Sequence, residues 1–318
     1  MPSAESRATG GAQAAADLEQ LGQALQMLDR VILGKEQQLR LCIACLLAGG
    51  HLLIEDVPGV GKTTLAHGLA HALGLSCQRI QFTSDLLPAD IVGVSVYQRD
   101  TGRFNFHPGP VFAQLVLADE VNRATPKAQS ALLEAMEERQ VTVDGVSHPL
   151  PEPFFVVATQ NPAEQVGTFP LPESQLDRFL MRIGLGYPER ALERELLRGE
   201  DRRALLRRLP AAASPESLLR LREEVARVHA SEALLDYVQA LVAWSREHPG
   251  YGAGLSPRAA IALLRAARAW ALLDGRHAVI PEDVQAVTPA VVGHRLRTEG
   301  ESTGDDPGER LVAAVPIP

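Results

Sequence analysis

The sequence is poor in cysteine, lysine and aromatic residues, and each shortage narrows the function that it can have. Three cysteines in 318 residues are few and odd in number, which argues against a disulfide framework and is typical of a reducing compartment. Lys35, Lys62 and Lys127 are the only lysines, so arginine supplies the rest of the 31 basic residues. No apolar run reaches the roughly 18 residues that cross a bilayer, which argues against direct membrane insertion.

Acidic residues outnumber basic ones by 39 to 31, and the formal net charge of −8 disfavours non-specific binding to nucleic acid. Residues 1–16 are small and polar, without the basic cluster and apolar segment of a secretory signal. We therefore expect a cytoplasmic protein that binds no nucleic acid and inserts into no membrane.

Two residue pairs resemble metal ligands but lack the rest of a site. Cys42 and Cys45 form a CxxC within an apolar, helix-like run, and no second pair completes a zinc site, so we predict buried thiols. His67 and His71 have the spacing of a helical metal pair, without the acid of HExxH or a third ligand nearby in sequence. The sequence therefore predicts no structural metal.

Two patterns of secondary structure divide the chain. Short β-type runs alternate with helical patterns at 51–55, 77–82, 115–119, 154–160 and 181–186. This alternation predicts an α/β fold with a parallel sheet flanked by helices. After Pro188, arginine-rich amphipathic helices follow, with capping residues at Ser214 and Ser256 and a further helix start at Pro281.

These patterns predict three regions. We expect a flexible tail over 1–16, an α/β core over 17–187 and an all-α domain over 188–318, with a polar loop at 298–310.

A glycine-rich phosphate loop follows the first β-type run. In DVPGVGKTT (56–64), glycines let backbone N–H groups turn toward phosphate, the lysine reaches the β- and γ-phosphates, and Thr63 offers a hydroxyl to Mg²⁺. Asp56 stands where the general pattern has glycine, but the part that contacts phosphate is intact. The sequence therefore predicts a nucleoside triphosphate with Mg²⁺, bound by Pro58, Gly59, Val60, Gly61, Lys62, Thr63 and Thr64.

Polar side chains end two of the predicted strands. Asp119 and Glu120 follow the run at 115–119, and Asn161 follows the run at 154–160. Because ligands bind at the carboxyl ends of parallel strands, we expect Asp119 to hold Mg²⁺ with Thr63 and Glu120 to polarise an attacking water. Asn161 is suited to orient that water or to contact the γ-phosphate. Without the phosphate loop, two acids at a strand end would be equally typical of a polar turn.

Two arginines are candidates for the positive charge that phosphoryl transfer requires. Arg178 lies in a DRF motif that is uninformative alone, because surface ion pairing is the usual role of such arginines. Arg258 lies in the first turn of a predicted helix capped by Ser256, where contact with a γ-phosphate would make closure of the helical domain depend on the nucleotide. The alternative for Arg258 is an exposed arginine on an arginine-rich helix.

Long blocks of the chain resemble the MoxR group of AAA+ ATPases. The resemblance extends from about Leu25 to about Leu296, and its blocks include DVPGVGKTT, LADEVNRATPKAQSALLEAMEERQVTVDG (117–145), ATQNP (158–162), LPESQLDRFLMR (171–182) and LSPRAAIALLRAARAWALLDGR (255–276). It implies a P-loop NTPase (AAA+) core with a C-terminal helical lid, assembled into rings, commonly hexamers, with ATP at subunit interfaces.

The resemblance also implies roles by position. Lys62 and Thr63 match Walker A, and Asp119 and Glu120 match Walker B. Asn161 matches sensor one, Arg178 the arginine finger that reaches a neighbouring subunit, and Arg258 the sensor-two arginine.

The resemblance also implies a class of partner and a kind of work, but no motif of this chain identifies either. The family implies partners with von Willebrand factor A domains and chaperone-like maturation or activation of protein complexes. A nucleotide-gated scaffold and a magnesium-chelatase-like motor subunit remain alternatives. The aromatic segment 82–109 either contacts a client or forms a cover packed on the core.

Overall fold

The computed structural model describes residues 4–161, 168–199, 202–208, 210–296 and 306–317. Within these ranges the strands are β1 Leu52–Glu55, β2 Cys77–Gln81, β3 Gly93–Gln98, β4 Arg103–Pro108, β5 Leu115–Asp119, β6 Gln140–Val143, β7 Val146–Pro149, β8 Phe155–Gln160 and β9 Met181–Ile183. The helices are α1 Ala4–Val31, α2 Glu36–Leu47, α3 Lys62–Ala72, α4 Pro88–Val92, α5 Pro126–Glu138, α6 Glu173–Leu176, α7 Arg190–Arg198, α8 Arg202–Arg208, α9 Pro215–Arg227, α10 Glu232–Glu247, α11 Pro257–Leu273, α12 Pro281–Val292 and α13 Pro307–Ala314.

The central sheet is parallel and has the strand order β2-β5-β8-β1-β9. Its members are the five runs that the sequence predicts as strands, so the predicted α/β class is confirmed. The other strands pair as antiparallel hairpins, β3 with β4 and β6 with β7. The carboxyl ends of β1, β5 and β8 lie side by side, which brings together the segments that carry the predicted site.

The sheet separates two apolar clusters, because successive strand residues point to opposite faces. Leu53 of β1 packs in a cluster with α5, whereas Leu52 and Ile54 pack in a cluster with α2 and α3. The second cluster continues through α2 into the helices that follow β9, including α9, α11 and α12. The C-terminal helices therefore share an apolar core with the α/β part, and a domain boundary near Pro188 stays a prediction.

The predicted starts of the C-terminal helices are confirmed. Ser214 Oγ accepts a hydrogen bond from Ser217 N at 3.2 Å at the start of α9, and Ser256 Oγ accepts one from Ala259 N at 3.1 Å at the start of α11. α12 begins at Pro281. Such caps satisfy N–H groups that have no partner within the helix.

The two ends of the chain differ from the sequence-based expectation. α1 begins at Ala4, within the segment expected to be a flexible tail, because an alanine-rich run has high helix propensity. Asp17 of α1 is fully buried and accepts hydrogen bonds of 2.7 and 2.8 Å from Arg220 of α9, which packs α1 onto that helix. Residues 1–3 lie outside the described ranges.

The polar loop expected at 298–310 is helical in its last part. α13 begins at Pro307, and Asp306 Oδ1 accepts hydrogen bonds from Gly308 N at 2.7 Å and Glu309 N at 3.2 Å. An aspartate before a proline is a strong helix start, and this signal outweighs the polar composition. Residues 298–305 lie outside the described ranges, as does Pro162 of the ATQNP block.

Cys42 and Cys45 are fully buried on α2, and burial raises the pKa of the Cys42 thiol, so the prediction of core thiols is confirmed. His67 and His71 lie on α3, and the described part of the chain contains no cluster of three or more histidine, cysteine or acidic side chains suited to a metal. Within the described ranges, no helix combines the length and the apolarity that a membrane crossing requires.

Candidate nucleotide-binding site

The loop between β1 and α3 has the backbone conformation of a phosphate cradle. Gly59 and Gly61 have φ angles of 90° and 97°, which side chains of L residues rarely adopt. A Cβ at either position would meet no atom within 4 Å, so the conformation and not crowding requires glycine here. α3 begins at Lys62, so its unpaired N–H groups and positive dipole end face the loop.

Asp56 fixes the start of this loop. Its Oδ1 accepts a hydrogen bond from Val57 N at 2.7 Å. Its Oδ2 accepts hydrogen bonds from Leu185 N at 2.7 Å and Gly186 N at 2.6 Å, just after β9. The residue that departs from the general pattern therefore ties the loop to the neighbouring strand.

Lys62 is buried, and its ammonium group connects the loop to the end of β8. Nζ donates hydrogen bonds to Asp56 O at 2.5 Å, Gln160 O at 3.2 Å and Asn161 Oδ1 at 3.1 Å. Burial lowers the pKa of Lys62, while the nearby carboxylates of Asp56 and Asp119 act in the opposite direction.

Asp119, at the end of β5, is held by groups from both neighbouring strands. Its Oδ1 accepts a hydrogen bond of 2.6 Å from Thr159 Oγ1 on β8. Its Oδ2 accepts hydrogen bonds of 2.6 and 3.1 Å from Nη2 and Nε of Arg79 on β2. The carboxylate is thus fixed in place and paired with a cation of its own chain.

Glu120 has a left-handed backbone, with a φ of 57°. Its Oε2 accepts a hydrogen bond from Gln81 Nε2 at 2.9 Å, and its Oε1 one from Asn161 Nδ2 at 3.4 Å. Asn161 also accepts from Lys62, so its amide joins the phosphate loop to Glu120. Non-glycine residues with positive φ are typical of functional sites.

One cavity of about 280 Å³ collects most of the residues that the sequence predicts as nucleotide ligands. It is lined by Pro58, Gly59, Gly61, Lys62, Thr63, Thr64, Asp119, Glu120 and Asn161. Of the predicted set in this region, Val60 does not line it and packs against the apolar core. Inward-facing glycine backbone and a buried lysine fit a polyphosphate, and the oxygens of Thr63 and Asp119 fit Mg²⁺.

Arg178 and Arg258 do not line this cavity and lie together elsewhere. Arg178 Nη2 is 2.9 Å from Glu137 Oε2 of α5, and Arg258 Nη2 is 3.0 Å from Glu137 Oε1. Both line another cavity, of about 530 Å³, between α5 and α11. The structure therefore does not bring Arg258 to the nucleotide cavity of its own chain, because its guanidinium is paired with Glu137 of α5 and with Asp177.

The aromatic segment 82–109 is partly packed and partly exposed. Phe82 is fully buried, and Phe106 stacks on His148 of β7 with ring centroids 4.0 Å apart. At the tip of the β3–β4 hairpin, Tyr97 and Phe104 face each other with centroids 5.3 Å apart and are 53% and 72% exposed. The base of the segment is thus a cover on the core, and its tip is accessible.

Sequence reasoning missed the side chains that hold the site residues. Arg79 and Gln81 lie on β2, and the register that pairs Gln81 with Asp119 places them beside the acids. Alternation along the predicted strand was a usable signal for both. Glu137 carries no such signal, because its partners Arg178 and Arg258 are distant in sequence and meet it only in the fold.

Comparison with protein families matches both parts of the chain. Residues 51–181 match the model described as ATPase family associated with various cellular activities (AAA), and residues 243–313 match the AAA lid domain. A parallel sheet with a phosphate loop and acidic strand end, followed by a helical lid, defines an AAA+ ATPase.

Similarity to individual proteins identifies the family within the AAA+ ATPases. The chain is 47% identical to YeaC of Bacillus subtilis, covering 89% of this chain and 88% of YeaC, and 41% identical to Chaperone MoxR1 of Mycobacterium tuberculosis, covering 95% and 82%. The chain belongs to the MoxR family. A crystal structure of a Cytophaga hutchinsonii protein superposes with a TM-score of 0.87 at 35% identity, covering 98% of this chain and 99% of that one.

Proposed function

We propose that the protein is a ring-forming ATPase in which each ATP is bound by one subunit and hydrolysed with arginines of the next, and that this cycle remodels a partner protein. The observation that carries the proposal is the separation of the predicted site into two parts. Lys62, Asp119 and Glu120 line one cavity, whereas Arg178 and Arg258 lie together outside it. A chain that completed its own site would need these arginines at its own phosphate loop.

The phosphate loop and β5 hold the nucleotide in this scheme. Lys62 exchanges its contacts with Asp56 and Gln160 for the β- and γ-phosphates, at the positive end of α3. Thr63 and Asp119 supply oxygen ligands for Mg²⁺. When bound, Mg²⁺ neutralises the negative charge of the phosphates during phosphoryl transfer.

Glu120 and Asn161 act on the attacking water. Glu120, with its left-handed backbone, lines the same cavity as Lys62. Glu120 accepts the proton of the water, and Asn161, already hydrogen-bonded to both Lys62 and Glu120, orients the water against the γ-phosphate.

Arg178 and Arg258 complete the site of a neighbouring subunit. Both are partly exposed, with side-chain exposures of 30% and 59%, so a second copy has access to them. Positive charge at the γ-phosphate stabilises the charge that accumulates on its oxygens in the transition state. A ring, in our proposal a hexamer, gives every site such a neighbour.

The work of the ring is proposed to be chaperone-like, in the cytoplasm, on a client delivered with a von Willebrand factor A domain partner. The name of the relative MoxR1, a chaperone, supports this reading. The exposed Tyr97 and Phe104 at the tip of the β3–β4 hairpin are suited to contact apolar segments of a client.

ATP turnover per subunit across a protein dilution series, with Mg²⁺ present, tests the shared site. We expect turnover per subunit to rise with concentration in the native chain, because association completes the site. Arg178→Ala should still bind ATP and should lose about 10³-fold in turnover. The shared site would be excluded by two results together. The monomeric native chain would show the same turnover per subunit at all concentrations, and Arg178→Ala would keep that turnover.

A further inference from the structure

The carboxylate of Glu137 receives two guanidinium groups from two parts of the chain. Arg178, which follows α6, contacts Oε2 at 2.9 Å, and Arg258, in the first turn of α11, contacts Oε1 at 3.0 Å. Arg178 Nη1 also donates a hydrogen bond of 2.7 Å to Leu133 O, one turn earlier on α5. The two oxygens of one side chain therefore hold two cations that are 80 positions apart in sequence.

A second acid extends this contact toward the lid. Asp177 Oδ2 is 3.8 Å from Arg258 Nη1, and its Oδ1 accepts a hydrogen bond of 2.7 Å from Arg295 Nε. Arg295 is nearly buried and also donates to Phe179 O at 2.7 Å. Arg258 is thus connected to a rigid anchor on one side and to Arg178 through Glu137 on the other.

Two guanidinium groups that contact the same carboxylate would repel each other without it. Each arginine side chain also has considerable rotamer entropy, which a fixed partner removes before the arginine reaches a substrate. The arginine contacts lower the pKa of Glu137, through its hydrogen bond with Arg258 first and the charge of Arg178 second, so the carboxylate is ionised at neutral pH.

We infer that Glu137 is a positioning residue, which holds the side chains of Arg178 and Arg258 together so that they enter the site of a neighbouring subunit as one unit. The inference rests on the proposed function. Glu137 does not contact the nucleotide in this scheme, and it acts only through the two arginines. Their effects on turnover are therefore coupled to each other through this carboxylate.

The test compares Glu137→Gln with Glu138→Gln, a matched change at the next position of α5. Glu138 is exposed and has no ion-pair partner among the described residues. At a protein concentration that keeps the oligomer assembled, we expect Glu137→Gln to lower kcat by about 10- to 100-fold. The Kd for a fluorescent ATP analogue should stay within about twofold of native, because the loop that binds it is unchanged. Glu138→Gln should keep the native kcat.

Two further variants separate positioning from a merely structural role. Glu137→Asp keeps the charge on a shorter side chain, and it should recover part of the kcat that Glu137→Gln loses. Adding Arg178→Ala should cost much less in the Glu137→Gln background than in the native chain, because the finger is already misplaced there. If Glu137→Gln does not fold, Glu137→Asp provides the same comparison, with a smaller loss of kcat.

Distinct results separate failure of this inference from failure of the proposed function. If Arg178→Ala lowers kcat but Glu137→Gln has the native kcat, the inference is wrong and the proposed function stands. The inference is also wrong if Arg178→Ala lowers kcat as much in the Glu137→Gln background as in the native chain. If the lower kcat of Glu137→Gln returns to the native value at high protein concentration, Glu137 acts in assembly of the ring, and the inference is again wrong. Native kcat in Arg178→Ala overturns the proposed function itself.

Discussion

Asp119 and Glu120 are consecutive acids, yet their surroundings suit them to different tasks. Asp119 is only 10% exposed in its side chain and lies 2.6 Å from Arg79, whereas Glu120 is 27% exposed and contacts the amides of Gln81 and Asn161 and, at 3.3 Å, the half-exposed Arg123. A carboxylate held among fixed donors suits a metal ligand. A more exposed carboxylate with longer contacts is freer to take part in proton transfer.

If Asp119 holds Mg²⁺ as proposed, Arg79 competes with the metal for that carboxylate, and this predicts the effect of removing Arg79. Arg79 is about half exposed, so the ion pair is worth about 1 kcal/mol after solvent screening. We expect Arg79→Ala to bind Mn²⁺, a spectroscopic substitute for Mg²⁺, about three- to tenfold more tightly in the presence of a non-hydrolysable ATP analogue. Electron paramagnetic resonance titration measures this affinity directly.

Arg123→Ala is the control for Arg79→Ala, because Arg123 pairs with Glu120 Oε2 at 3.3 Å and not with Asp119. Its Mn²⁺ affinity should stay near the native value. Weaker Mn²⁺ binding in Arg79→Ala would mean that Arg79 orients Asp119 for the metal and does not compete with it.

Single elements of this chain are predictable where their signal is local. Three strands of the sheet, β1, β5 and β8, are apolar runs that end in polar residues, and the serines before α9 and α11 mark the starts of those helices. The place of Arg258 in the first turn of α11 is local information, and it predicts contact with a γ-phosphate but not the ion pairs that the side chain makes. Its partner Glu137 is 121 positions away, and no local pattern shows which side of α5 the lid helix packs against.

The conformation of the phosphate loop depends on Asp56, since three backbone N–H groups donate hydrogen bonds to its carboxylate. Replacement by alanine leaves Leu185 N and Gly186 N without their partner and releases the start of the loop. We expect Asp56→Ala to lose about 2–3 kcal/mol of unfolding free energy and to bind ATP more weakly. Urea unfolding and calorimetric titration with ATP measure the two effects.

Asp56→Asn keeps one carbonyl oxygen as an acceptor, and it should lie between the native chain and Asp56→Ala in both measurements. Native stability with unchanged ATP affinity in Asp56→Ala would show that the loop keeps its conformation without this tether.

The whole molecule is joined by contacts between segments that are far apart in sequence. The apolar cluster that begins at β1 continues through α2 into the lid, and α1 packs on α9 through the buried carboxylate of Asp17. Alanine content predicts the helicity of α1 but not where it packs, because the partner Arg220 is 203 positions away.

The Asp17–Arg220 pair predicts a pH dependence of stability. The hydrogen bond from Arg220 holds the pKa of Asp17 below its ordinary value of 3.8 in the folded state. The ion pair therefore stabilises the folded protein fully above the pKa that Asp17 has in the unfolded chain. This stabilisation is lost as the pH falls through the lower pKa that Asp17 has in the folded protein. We expect Asp17→Asn to lose about 2 kcal/mol at pH 7, and its difference from the native chain to shrink below about pH 3.8.

Urea unfolding of both chains between pH 3 and pH 7 measures this difference. Glu19→Gln, at an exposed position of the same helix, should match the native chain throughout. A difference for Asp17→Asn that is constant with pH would assign the effect to packing and not to the charge of the carboxylate.

Two variants that are each inactive should restore activity to one another if the site is shared. Glu120→Gln keeps Arg178 but lacks the acid that activates water, and Arg178→Ala keeps that acid but lacks the finger. In a mixed ring, the intact acid of one subunit faces the intact arginine of the other. Random mixing of equal amounts creates this pairing at about one in four interfaces, so we expect about a quarter of the native turnover.

Subunit exchange is a separate requirement, because preassembled rings of each variant would stay inactive side by side. Fluorescence energy transfer between differently labelled subunits measures exchange, and mixing Arg178→Ala with the double variant Glu120→Gln/Arg178→Ala is the control that should restore nothing. An inactive mixture of the two single variants in which exchange is demonstrated would mean that Arg178 acts within its own chain. Because Arg178 is held by Glu137 outside the nucleotide cavity, that result would require α5 and the segment after α6 to rearrange on ATP binding.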